Sequence, residues 1–217
     1  MKPSSKIVGV RWVETDKGVP GKPKVRSRLV AQEFATEADP MGELFAPTPP
    51  LAATRWIMSG AASRGKHGPG EERLMLLDFK KAFLYADIER ELYIELPEED
   101  EDREGGANVG LLNKAMYGTR DAAQNWEHEY TEFLEDIGFQ RCEAFPCCFY
   151  HAAKGIRLVV HGDDFTSRGF DEALTWMEAD MMKRFDHRNI VKLLGVCTRN
   201  EPVYAVMEYM LYGDLKT

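Results

Sequence analysis

A chain of 217 residues has room for one sizeable domain with an appendage, which excludes long repeat arrays and large multidomain machines. With 44% hydrophobic and 29% charged residues it sits near the globular average, neither disordered nor collagenous. The net charge of −8 is wrong for a simple basic nucleic-acid module, and no stretch approaches the roughly 18 apolar residues that span a bilayer.

The charge is unevenly spread. Met1 to Gln32 holds eight basic and two acidic residues, a local balance of +6. Around the turn residues Lys17, Gly18 and Pro20 to Pro23, the pattern predicts a hairpin of Val8–Val13 with Val25–Phe34. One face of it is basic and suits phosphate. Phe45 to Pro50 is turn-rich, a short helix is expected around Ala53 to Ser63, and GKHGPG (Gly65 to Gly70) reads as a linker. It lacks GK[ST] and GxGxxG, so no phosphate cradle is assigned.

From Glu71 onward strands and helices alternate. Arg73 to Leu77 reads as a strand ending at Asp78, and Lys80 to Ile88 as one or two helical turns. The acidic run Glu98 to Glu104, six acids around Arg103, reads as a solvated loop. Trp126, Tyr130, Phe133, Leu134 and Ile137 recur at helical spacing after Asp121, an expected N-terminal cap, and Gly138 ends that helix. Cys147–His151 and Ile156–His161 flank Ala152 to Gly155 as a hairpin, which runs into Gly162, Asp163 and Asp164. Leu174, Met177, Met181 and Phe185 form the buried stripe of a helix that starts at Asp171. This order gives an α+β domain, an antiparallel sheet with helices packed on one side.

Cys142, Cys147, Cys148 and Cys197 are too few and too clustered for a disulfide framework and fit a reduced compartment, intracellular and either cytoplasmic or nuclear. With His151 the first three give C-x4-C-C-x2-H, which matches no common zinc spacing, so they read as structural thiols in a strand. Nothing in the chain speaks for secretion or a membrane partner.

Asp78 at a strand end and Asp163 with Asp164 at a hairpin tip converge if the two strands are neighbours. Like charges within a few Å raise one another's pKa, and divalent cations resolve the conflict. Mg²⁺ takes one or two carboxylates together with substrate phosphates, as in-line phosphoryl transfer requires. An Asp-Asp pair is equally a common hairpin tip.

LDFKKAF (Leu77 to Phe83) resembles the first palm motif of reverse transcriptases, and VHGDDF (Val160 to Phe165) their paired-aspartate motif. VRSRLVAQ (Val25 to Gln32), FAPTPPLAAT (Phe45 to Thr54) and LNKAMYGTRDAAQNW (Leu112 to Trp126) resemble specifically the copia-type LTR retrotransposon enzymes. All five stand in family order between about Lys6 and Asp186. The resemblance implies reverse-transcriptase-like fingers (residues 1–70) and a catalytic palm (71–186) with a ferredoxin-like antiparallel sheet packed by helices, truncated before the thumb. It implies an RNA-directed DNA polymerase that uses Mg²⁺, with Mn²⁺ as a substitute, to join deoxynucleoside triphosphates to a primer 3′-hydroxyl on an RNA or DNA template. Asp78, Asp163 and Asp164 then become the catalytic, metal-binding carboxylates. Arg28, with Arg26 nearby, meets the triphosphate; Phe83 lies under the sugar as a gate against the 2′-hydroxyl; Tyr117 and Gly118, with Lys114, belong to the loop at the templating base pair. His161-Gly162 departs from the family, which more often has Tyr and an aliphatic residue there.

His187 to Thr217 breaks the pattern and resembles part of a tyrosine-kinase amino lobe, with Met207 at the gatekeeper position and Glu208 to Met210 as the hinge. The glycine-rich loop, V-A-I-K, H-R-D and D-F-G are missing, so the tail (187–217) is expected to carry no kinase activity. Without the resemblance, Val191–Val196 and Val203–Met207 are two β-strands. Truncation is expected to impair the polymerase. The competing readings are a non-enzymatic nucleic-acid-binding remnant and a kinase-like interaction fragment.

Overall fold

The structure is a computed structural model that describes residues 7–19, 21–34, 44, 46–64, 72–100, 106, 108–185, 193–197 and 204–207, without the side chains of 62–64 and of the last two segments. The GKHGPG segment, most of the acidic run and Glu208 to Met210 lie outside the described residues.

The centre of the molecule is a five-stranded antiparallel sheet built from β4 (Glu72–Asp78), β7 (Gln140–Arg141), β8 (Cys148–His151), β9 (Ile156–His161) and β10 (Asp164–Phe170). Its order is β4-β10-β9-β8-β7. Helix α2 (Ala122–Asp136) and helix α3 (Asp171–Arg184) cover one face. Alternation along the strands puts Ile156, Leu158, Val160 and Phe165 on that face, where they pack with Trp126, Tyr130 and Leu134 of α2 and with Leu174, Met177 and Met181 of α3. All these side chains are buried, and Phe185 closes the stripe as the spacing predicts. Edge-to-face aromatic contacts tie the layers together, such as Trp126 to Phe185 at 5.1 Å between centroids and Phe79 to Phe165 at 4.9 Å.

The expected single-sided packing needs correction. Helix α1 (Leu51–Arg64) lies on the opposite face, where the Arg168 guanidinium stands 5.1 Å from the Trp56 ring centroid. Arg168, almost wholly buried, forms an ion pair with Glu72 at 3.2 Å. Charge on that face therefore needs a lid, and α1 supplies it.

The expected amino-terminal hairpin is present as β2 (Val10–Asp16) and β3 (Val25–Ala31), paired antiparallel from Val10↔Ala31 to Asp16↔Val25. Val8 does not belong to it. With Ile7 it forms β1 (Ile7–Val8), which pairs in parallel with β5 (Tyr93–Glu95), and β5 pairs in turn with β6 (Val109–Leu111). The reason is burial: Val8 is sealed into a second cluster with Ala31, Leu92, Ile94 and Met116. Residues Leu193–Cys197 (β11) and Tyr204–Met207 (β12) pair antiparallel, as the expected two strands of the tail. No helix among the described residues is long and apolar enough to cross a membrane.

Candidate functional site

Strand β10 makes the site, because it pairs with β4 on one side and β9 on the other. Asp164 stands directly across from both Asp78 and His161. The link from β9 to β10 is a two-residue turn, Gly162-Asp163, with Gly162 at φ 64. Gly at the first central position with positive φ suits a type II′ hairpin turn, which accounts for the glycine where an aliphatic residue was expected. The Asp163 carbonyl accepts the Phe79 amide at 3.0 Å, so the turn is tied to the chain just beyond Asp78.

One oxygen from each of Asp78, Asp163 and Asp164 lies within 4.8 Å of the others, and all three residues are exposed. Among the described residues this is the one group of three or more His, Cys, Asp or Glu side chains with such spacing. The Asp78 carboxyl is pushed above the usual carboxylate range, first by partial desolvation and then by the charges of Asp163 and Asp164, against a smaller pull from Lys80 and Arg26. An all-oxygen donor set under mutual repulsion fits a hard divalent cation such as Mg²⁺ or Mn²⁺.

Beside the carboxylates the chain passes through Lys81, the one non-glycine with positive φ among the described residues (φ 62, ψ 33). It opens a 3₁₀ turn, Ala82–Tyr85, shorter than the helix expected there. Phe83 leaves that turn to meet Tyr117 edge-on at 4.9 Å, and the Arg28 guanidinium stands 5.7 Å from the Tyr117 ring centroid. Tyr117 titrates above its ordinary value because it is buried and because Asp163 lies near, with Arg28 and Arg26 opposing. The Arg28 Nε is buried and has no hydrogen-bond partner among the described residues.

The Tyr117–Gly118 loop is stitched to β3: the Ala31 amide donates to the Tyr117 carbonyl at 2.7 Å, and Gly118 has φ 87. A Cβ at 118 would stand 2.0 Å from the Ala31 carbonyl oxygen, so only glycine permits this approach. Lys114 is placed differently from the other expected residues. Its ammonium bonds the Tyr85 carbonyl at 3.0 Å and pairs with Asp87 at 2.6 Å, bracing the segment behind the site.

A second charged group was not read from the sequence. Arg90 donates to both carboxylate oxygens of Glu33 at 2.9 and 2.6 Å and to both of Asp121 at 2.8 and 2.9 Å. Asp121, expected as a helix cap, makes no side-chain cap bond; its carboxylate goes to Arg90 instead. Burial raises the Asp121 carboxyl, but the Arg90 bonds and charge prevail and hold it below the usual range. The Arg120 amide also donates to Glu33 at 2.9 Å. Together these bonds join the end of β3 to the loop that carries Tyr117 and to α2. Only the wide separation of the three residues in the chain hid this network.

The three cysteines whose side chains are described are free: Cys147 is buried, Cys148 half-buried and Cys142 exposed. Burial, with Cys147 and Cys142 close by, pushes the Cys148 thiol up to about 12, as befits an unreactive structural thiol. The His151 ring makes a contact with the Ile137 carbonyl at 3.1 Å.

An aspartate at the end of a strand beside a two-aspartate hairpin makes an all-oxygen cluster that could hold a divalent cation. The reverse transcriptase (RNA-dependent DNA polymerase) family matches residues 2–201, and the chain belongs to that family. It is 28% identical over 172 residues, 77% of its own length, to a retrovirus-related Pol polyprotein from transposon TNT 1-94 of Nicotiana tabacum. Over 209 residues it is 26% identical to the Pol polyprotein from transposon RE2 of Arabidopsis thaliana. It spans 12% and 14% of those two polyproteins. A 40-residue stretch, 18% of the chain, is 55% identical to human tyrosine-protein kinase Fer and covers 5% of that kinase, so the chain is chimeric in character. No solved structure matches.

Proposed function

We propose that the chain is the fingers and palm of a copia-type retrotransposon reverse transcriptase and carries its nucleotidyl-transfer centre, with residues 1–70 as fingers, 71–186 as palm and the kinase-derived tail (187–217) outside the chemistry. The observation that carries this reading is the convergence of Asp78, Asp163 and Asp164 at one end of the β4–β10 pair, near Tyr117, which in turn contacts Phe83 and Arg28.

Asp78, Asp163 and Asp164 would hold divalent cations. When bound, these supply the positive charge that a primer 3′-hydroxyl and a departing pyrophosphate need in order to react in line. The chain's own residues do the rest. Arg28, whose guanidinium stands against the Tyr117 ring, and Arg26 would meet the triphosphate, where bidentate donors suit phosphate oxygens. Phe83, held edge-on by Tyr117, offers a rigid aromatic wall to the sugar and excludes a 2′-hydroxyl by contact. The Tyr117–Gly118 loop, fixed to β3, sets the floor for the base pair. Lys114 supports that floor from behind rather than touching it.

The test is single-nucleotide extension of a DNA primer on an RNA template at low salt in Mn²⁺, run beside Asp163→Asn. The basic amino-terminal face has to hold the duplex against a net charge of −8, so binding should be weak and salt-sensitive and incorporation slow. Incorporation that disappears in Asp163→Asn supports the reading. Template binding with no incorporation in any divalent cation would instead support a non-enzymatic nucleic-acid-binding remnant.

A further inference from the structure

The Gly162-Asp163 turn has both of its carbonyls held from outside the hairpin. Phe79, one residue past Asp78, takes the Asp163 carbonyl. The Gly162 carbonyl accepts the indole N–H of Trp126 at 2.9 Å. Trp126 reaches it from α2 and is itself 1% exposed, with its ring in edge-on or tilted contact with Phe79, Tyr85, Tyr130, Phe165 and Phe185. Such a ring cannot follow the turn if the turn moves; the turn has to follow the ring.

One oxygen from each of the three aspartates lies within 4.8 Å of the others, and Asp163 is the one that sits in the turn rather than in a strand. A two-residue hairpin end relieves repulsion by tilting, which swings Asp163 away from Asp78 while leaving the ladder from Phe165 to Phe170 intact. We propose that Trp126 is the positioning residue of the carboxylate site: its N–H anchors the Gly162 carbonyl and keeps the Asp163 carboxylate aimed at the cation shared with Asp78 and Asp164. The inference rests on the metal reading given above. It assigns to Trp126 a task beyond core packing, through one atom of its ring.

The experiment separates the ring from the N–H. Mn²⁺ affinity is measured by electron paramagnetic resonance on the whole chain, for wild type, Trp126→Phe, and a protein with benzothienylalanine at 126, which keeps the fused-ring shape and puts sulfur in place of the N–H. Thermal melting without metal follows the packing in each. Groups that orient ligands from outside the coordination sphere are typically worth about 10-fold in metal affinity or more. Both replacements should weaken Mn²⁺ binding by about that factor, and the benzothienyl protein should do so with its metal-free melting temperature unchanged. Wild-type affinity in the benzothienyl protein would overturn the inference, whatever Trp126→Phe does to stability. Asp163→Asn with Asp164→Asn is run in parallel. Mn²⁺ binding that this pair leaves untouched would overturn the metal reading itself and the inference with it.

Discussion

Two groups of carboxylates in this chain live by opposite rules. Glu33 and Asp121 are buried, 8% and 5% exposed, and share the forked guanidinium of Arg90 with every carboxylate oxygen engaged. Asp78, Asp163 and Asp164 are exposed, crowd one another, and form no ion pair among the described residues. Where charge is compensated inside the chain, it fixes architecture: the end of β3, the Tyr117 loop and the start of α2 become one body. Where it is left uncompensated at the surface, it is available for a ligand from outside. The second group depends on the first, since the locked loop holds Tyr117 where Asp163 and Asp78 act on it and where Arg28 of the strand meets its ring.

Arg90→Met breaks the comparison most severely. It leaves two buried carboxylates without their cation, a loss on the order of 3 kcal/mol or more that urea unfolding would read as a lower midpoint. Because Glu33 and Asp121 must then take up protons to stay buried, the variant should recover part of that loss as the pH falls toward 4.

Asp78→Asn should act in the other direction. The folded-state pKa of Asp78 is raised, so the folded chain holds its proton more tightly than the unfolded chain. Stability contributed by that proton is present below the ordinary value of 3.8 and is lost as the pH rises through the raised folded value. In metal-free buffer near pH 7, Asp78→Asn should therefore melt above wild type, and the gap should close below the ordinary carboxylate pKa. A variant that melts lower at pH 7 would mean that the aspartates are paired within the chain after all.

Lys81→Gly gives the smallest effect and sharpens the account of strain beside the site. A left-handed non-glycine costs about 1 kcal/mol, part of which glycine returns as greater freedom in the unfolded chain, so a gain of roughly 0.5 kcal/mol is expected. If the midpoint falls instead, the Lys81 side chain contributes more than its backbone costs.

Much of this site was legible along the chain, because its parts are local motifs. Asp78 closes an apolar strand, the Asp pair follows another, and the buried stripe of α3 repeats at helical spacing. Strand β10 was not legible. After Phe165 it reads Thr-Ser-Arg-Gly, and its burial comes from tertiary partners: Ser167 donates to the Met75 carbonyl at 3.3 Å, and Arg168 finds Glu72 and the lid of α1. The same holds for the Arg90 network, whose members are 31 and 57 residues apart, and for Asp121, whose cap-like position gave no sign that a distant arginine would claim its carboxylate. Local periodicity announces what one element does alone. Compensated charge is a property of pairs, which a single sequence does not display.

The central claim is that the exposed aspartates form a cation site. It is tested most directly by thermal melting with and without Mn²⁺, for wild type and for Asp163→Asn with Asp164→Asn. Wild type should gain melting temperature as Mn²⁺ is added, since a ligand that binds only the folded chain stabilises it. The double variant should start higher, relieved of repulsion, and gain almost nothing. An equal Mn²⁺-dependent rise in both proteins would contradict the account.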